Sequence, residues 1–122
     1  MQYLLLIYGD EQAWASLPDD ERDAIVREYL ALTKELGERG SYLGGAPLRP
    51  TSTATTVRVR DGEQVVTDGP FAETKEQLGG FFLIEAGSAD EAAAVAARIP
   101  AARRGAIEVR PVVPVRAEVT VG

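Results

Sequence analysis

Two short stretches, Tyr3 to Tyr8 (YLLLIY) and Phe81 to Ile84 (FFLI), are apolar at every position. Successive side chains of a strand point to opposite faces, so a strand of this kind has no side to offer to water and must be covered twice. That requirement limits the fold more than any other feature of the chain. Both stretches belong at the centre of a sheet, and each of that sheet's faces needs a cover.

Two helices offer one of the covers. Ile25, Tyr29, Leu32 and Leu36 recur at spacings of four, three and four, with Val26 and Thr33 beside them, which predicts a helix over Pro18 to Glu38 with one core-facing stripe. Ser16 is its candidate N-cap, Pro18 and the acids Asp19, Asp20 and Glu21 suit its first turn, and Gly40 is its natural stop. Glu21, Glu28, Lys34 and Glu35 read as its solvated face. A second helix is expected over Ala89 to Arg98, capped by Ser88, buried through Ala92, Val95, Ala96 and Ile99 and ended by Pro100.

Between the helices, Tyr42 to Ala46 reads as a short strand and Pro47 to Ser52 as a loop. Thr55 to Arg60 and Gln64 to Thr67 flank Asp61-Gly62, a tight-turn signal, and so predict a hairpin. Ile107 and Val109 against Glu108 and Arg110 give a last strand with one polar face, followed by an extended tail over Val112 to Val121. The order predicts an α+β, split β-α-β two-layer sandwich with an inserted β-hairpin, residues 1–122 forming a single domain. Two helices cover one face of such a sheet. Leu4, Leu6, Phe82 and Ile84, or their counterparts, then need either a second subunit or the chain's own hairpin and tail.

Thirteen Lys and Arg against nineteen Asp and Glu leave a net charge of −6, the wrong sign for following a phosphate backbone, so no nucleic acid is expected as partner. No apolar run approaches the roughly 20 residues that span a bilayer, and no membrane partner is expected. With 45% apolar and 26% charged residues the chain reads as a soluble globular protein, expected in the cytoplasm. It contains no Cys, which removes thiolate metal sites and thiol nucleophiles, and no His, which removes the usual general base near neutral pH. No cofactor is expected: Gly44-Gly45 lacks the glycine spacing and the lysine of a phosphate loop and reads instead as a place of close backbone approach; no metal site is expected either, with one built from carboxylates alone left open.

Chemistry concentrates in DGPFAETKE, Asp68 to Glu76. Asp68-Gly69-Pro70 is turn chemistry, and Glu73, Lys75 and Glu76 follow within the next six residues. This motif, with LGGF after it (Leu78 to Phe81), Gly44, Gly45 and Leu48 before it and EVRP (Glu108 to Pro111) downstream, closely resembles the DGPF branch of the YCII-related family, from Tyr3 to about Val113. The resemblance implies a ferredoxin-like subunit that pairs into a dimeric α/β barrel. It also implies kinship with a few enzymes that act on small aromatic rings through a His and Asp pair, and with members encoded beside extracytoplasmic-function sigma factors. Many DGPF proteins carry His at the position of Arg104; this chain has none anywhere, so that mechanism does not carry over.

The candidate ligand-binding residues are Tyr8, Asp68, Phe71, Lys75 and Arg110, and the candidate catalytic ones are Glu73 and Glu76. Lys75 and Arg110 suit a carboxylate or phenolate, and a carboxylate desolvated by Phe71 and Phe81 would serve as a base. Each has a structural reading beside the functional one: Asp68 caps its own turn, Lys75 pairs with Glu73 or Glu76, Arg110 pairs with Glu108 of a neighbouring strand or with Asp68, and Tyr8 belongs to the core. Two functions stay open: a homodimeric module that binds a small anionic or aromatic metabolite, and a cofactor-free isomerase or lyase that moves a proton with Glu73 or Glu76. Exposed motif charges would instead favour a structural or protein-interaction role.

Overall fold

The computed structural model describes residues 1–115. The chain runs β1 (Gln2–Gly9), α1 (Glu11–Ala15), α2 (Asp19–Glu38), β2 (Tyr42–Pro47), β3 (Thr55–Arg60), β4 (Glu63–Asp68), β5 (Gln77–Glu85), α3 (Ala89–Arg98) and β6 (Ala106–Pro111), with short 3₁₀ turns at Thr51–Thr53 and Pro100–Arg103. Four strands form an antiparallel sheet in the order β2-β5-β1-β6, and β3 and β4 form a separate two-stranded sheet. The two wholly apolar stretches are the two central strands. This mixed α+β architecture is compatible with a ferredoxin-like fold.

Register decides which half of each central strand meets the helices. Tyr3 lies opposite Ile84 and Leu5 opposite Phe82, and these four with Ile7, Leu32, Leu36, Ala92, Val95, Ala96 and Ile99 make the core. The face left without helices therefore carries Leu4 and Leu6 with Leu83 and Phe81. The first expectation, which set Phe82 and Ile84 beside Leu4 and Leu6, is corrected: two antiparallel strands of unbroken apolar character look alike in either register, and only the pairing separates them. Leu5, Leu36, Ile84 and Ile99 are the largest fully buried side chains, each contributing about 1.5–3 kcal/mol of transfer free energy. Tyr29 and Tyr42 pack edge-on against Phe82, with ring centroids 6.3 and 5.3 Å away. Burial raises the Tyr29 phenol above its ordinary range.

Capping departs from expectation at one helix and meets it at the other. Ser16 closes α1 instead of opening α2: its hydroxyl donates to the Gln12 carbonyl at 2.8 Å, while Asp10 caps the start of α1 by accepting from the Gln12 and Ala13 N–H groups. Helix α2 begins at Asp19, with Pro18 in the cap position and no side-chain cap, and relies on Asp19, Asp20 and Glu21 against its dipole. Ser88 caps α3 as expected, accepting from the Glu91 N–H at 3.1 Å.

The hairpin turns through Asp61 (φ 51°) and Gly62 (φ 78°), the left-handed pair that a two-residue turn requires. Pro47 ends β2 rather than opening a loop, which an edge strand tolerates because no ladder bond is lost. Residues 112–115 form no regular element, and the rest of the expected extended tail lies outside the described residues.

Candidate ligand-binding site

The motif segment leaves β4 at Asp68 and enters β5 at Gln77, and both ends are tied down. At the entry, Gly69 adopts φ +98°, its N–H donates to the Ala54 carbonyl at 2.7 Å, and the Thr56 hydroxyl donates to the Gly69 carbonyl at 2.8 Å. The turn is thus closed by groups at the start of β3. The Asp68 carboxylate makes no hydrogen bond among the described residues, so the expectation that it caps its own turn gives way to this arrangement.

At the exit, the Thr74 hydroxyl donates to the Glu76 carbonyl at 2.5 Å, and the Gln77 amide donates to the Thr74 carbonyl at 2.6 Å. The Gln77 side-chain Oε1 accepts from the Glu11 N–H at 3.0 Å. The Glu11 carboxylate in turn takes the N–H and hydroxyl of Thr51, at 2.7 and 2.9 Å. Three loops therefore converge on Glu11 and Gln77. Sequence reasoning missed both residues, because their partners lie 40 and 66 positions away and no local signal marks them.

Between these anchors the functional groups of the motif face water. Phe71 is 73% exposed, with the Arg58 guanidinium 4.7 Å from its ring centroid. Glu73, Lys75 and Glu76 are exposed, and among the described residues Lys75 forms no ion pair with either acid. No three Asp or Glu of the described residues come close enough together to hold a metal ion.

Tyr8 and Arg110 lie elsewhere on the same sheet. Alternation along β1 puts Tyr8 on the helix-free face, half-buried, beyond Leu4 and Leu6. Ile107 and Val109 pack against the core, so Glu108 and Arg110 occupy the helix-free face of β6. The Arg110 guanidinium bonds Glu108, Nε to Oε2 at 2.7 Å. The partner is on Arg110's own strand, two residues back, and not on a neighbouring strand or at Asp68.

Pairing arranges the helix-free face in two rows across the strands. Gly44, Leu83, Leu4 and Arg110 form one; Ala46, Phe81, Leu6 and Glu108 form the other. Gly45, between the two β2 members, turns toward the helices, where an added Cβ would lie 2.5 Å from the Phe81 carbonyl oxygen and 2.6 Å from the Tyr42 hydroxyl. Close backbone approach explains one glycine of that pair.

Lys75 and Arg110 are not brought together within one chain. Arg110 lies opposite Leu4, whereas the motif joins β5 opposite Gly9, five residues or about 17 Å further along β1. Two grooves, of about 360 Å³ between the end of α2, the end of β5 and α3, and of about 220 Å³ between α3 and β6, touch no motif residue. Beside them the supposed solvated face of α2 is partly tied down: Glu28 chelates Arg103 at 2.9 and 3.1 Å, and Glu35 chelates Arg98 at 2.5 and 2.8 Å. The hydrogen bond from Arg98 holds the Glu35 carboxyl below its ordinary range.

A two-layer α+β subunit whose sheet carries helices on one face among the described residues, with the DGPFAETKE segment at one end of the other face, defines the class. Residues 1–116 match the YCII-related domain, and the chain belongs to that family. A protein of Rhizobium meliloti (strain 1021), itself named only as uncharacterised, is 42% identical over 113 residues, covering 91% of each chain.

Proposed function

We propose that this YCII-related protein is a cytoplasmic homodimer, each chain a single domain over residues 1–122, that binds a small anionic or aromatic metabolite in clefts between two stacked sheets. One observation carries the reading: Leu4, Leu6, Tyr8, Phe81 and Leu83 form a contiguous half-buried face with no element of the chain on it among the described residues. Arg110 at the edge of that face and Lys75 at its end are the anion anchors, Tyr8 supplies a hydroxyl donor, and Phe71 with Phe81 offers aromatic wall. Asp68 lies at the mouth and sets which partner charge is tolerated there. Glu73 and Glu76 would act as proton-transfer bases only where water is excluded from them. Both are exposed in the chain, which argues against proton transfer; it favours a protein-interaction role for the motif unless a second copy covers it, and the proposed pairing supplies that cover.

A thermal-shift screen of aromatic carboxylates and phenols against wild type, Lys75→Ala and Arg110→Ala tests the reading. A compound at about 100 times its dissociation constant stabilises the wild type by about 2.7 kcal/mol, a shift of several degrees that the two variants lose. Equal shifts in all three proteins would remove the anion anchors. An absence of any shift, with wild-type charges intact, would turn the reading toward a protein-interaction role for the motif.

A further inference from the structure

From Pro50 to Phe71 no residue is buried, and those partly covered are Thr51, Ala54, Thr56 and Gly69. Each of them takes part in a bond at the base of the β3–β4 hairpin. Thr53 and Ala54 donate their N–H groups to the Pro50 and Thr51 carbonyls at 2.9 and 3.0 Å, and Gly69 is tied to Ala54 and Thr56. With the Arg58 guanidinium over the Phe71 ring, these bonds join Pro50–Phe71 into one piece. Two strands alone are marginally stable in water, and β3 and β4 pack extensively on no other element, so the hairpin depends on this base.

Both ends of the piece are free of such ties. On one side the last bond to the sheet runs from the Leu48 N–H to the Gly79 carbonyl at 2.8 Å, and only Arg49 separates it from Pro50. On the other, Ala72 and Glu73 make no hydrogen bond among the described residues, and the chain is held again at Thr74 by Gln77. Across the gap reaches the Glu11 carboxylate, which accepts from the Thr51 N–H at 2.7 Å and from its hydroxyl at 2.9 Å. Among the described residues no other hydrogen bond or ion pair joins Pro50–Phe71 to the body beyond its own flanks. Negative charge strengthens both bonds, and the Glu11 backbone that presents the carboxylate is itself fixed by Gln77.

We infer that residues Pro50–Phe71 form a flap that swings as a unit about Arg49 and about Ala72-Glu73, and that the Glu11 carboxylate is its latch. Asp68 and Phe71 ride on the flap, whereas Tyr8 and Lys75 belong to the body. The latch therefore sets how far the aromatic ring stands from the cation of the motif. Latching needs neither a bound ligand nor a second copy, and so goes beyond the binding proposed above.

Glu11→Ala removes the latch and keeps the bond from the Glu11 N–H to Gln77, which the backbone makes. Because the chain has no Cys, spin labels can be placed in pairs at exposed positions. Lys34→Cys on α2 with Glu63→Cys at the hairpin tip measures body to flap, and Ser52→Cys with Glu63→Cys measures within the flap. Pulsed electron–electron double resonance, with labelled protein diluted in unlabelled protein of the same variant, reads distances inside one chain. Glu11→Ala is expected to raise the population at displaced body-to-flap distances about tenfold, and Thr51→Val, which keeps its N–H, by less. The pair within the flap keeps one narrow distance throughout. A body-to-flap distribution unchanged in both variants would overturn the latch. Broadening within the flap would overturn its swinging as a unit, since the hairpin would then be melting. No ligand enters the measurement, so either failure leaves the binding proposal standing, and a failed ligand screen leaves the latch.

Discussion

Gly45 pairs with Phe82 where β2 runs beside β5, and its missing side chain is a packing requirement. A methyl group there would have to displace the Phe81 carbonyl and the Tyr42 hydroxyl, both held by the sheet and by the ring contact of Tyr42 with Phe82. Gly45→Ala is expected to cost about 1–3 kcal/mol, read from urea denaturation. Gly37, near the end of α2, has nothing within 4 Å of an added Cβ. Gly37→Ala is expected to stabilise by about 0.5–1 kcal/mol in the same experiment, because only helix propensity changes. At this scale the sequence was partly legible. Gly44-Gly45 announced close approach, but which of the two glycines needed it depended on a bulge between Tyr42 and Gly44 that no local pattern foretells.

The elements were more legible than their connections. The extents of α3, of the hairpin's first strand and of β1 follow from periodicity and caps, which act over four or five residues, whereas β5 begins at Gln77, four residues before the Phe81 that opens its apolar run. The ties between elements do not. Glu35 and Arg98 are 63 positions apart, and the acids of α2 read as a free solvated face until α3 was laid beside them. This pair has a consequence for acid stability. The Glu35 carboxyl is held below its ordinary range in the folded protein by Arg98, so below the unfolded value the unfolded chain binds more protons than the folded one. Its contribution is fully present above the ordinary carboxylate range and is lost as pH falls through the lowered folded value. Denaturation of wild type and Glu35→Gln between pH 6 and 3 is expected to show a shallower loss in the variant; equal slopes would show that solvent screens the pair out entirely.

At the scale of the molecule, the sheet face that carries no helix among the described residues is the largest unmet demand. Leu6→Glu places a carboxylate at its middle; if the proposed homodimer forms through this face, the variant is expected to be a folded monomer, with far-UV circular dichroism unchanged and a smaller mass than the wild type by light scattering. Leu5→Ala, one residue away but wholly buried beneath the helices, is expected instead to cost about 2–5 kcal/mol without bearing on assembly. A dimeric Leu6→Glu would show that the face is not where copies meet.

Alternation and helical periodicity alone determined that β1 and β5 lie at the centre of a sheet, that α2 and α3 cover one side, and that a tight-turn hairpin interrupts the strands. These are consequences of where apolar side chains point, and that information is local. Only the tertiary structure decided which parity of each central strand faces the helices, that Arg110 and Glu108 share a row with the open apolar residues, and that the motif is anchored by Glu11 and Gln77. Register and long-range hydrogen bonds join residues tens of positions apart, and a strand apolar on both faces satisfies its own pattern equally well in either register.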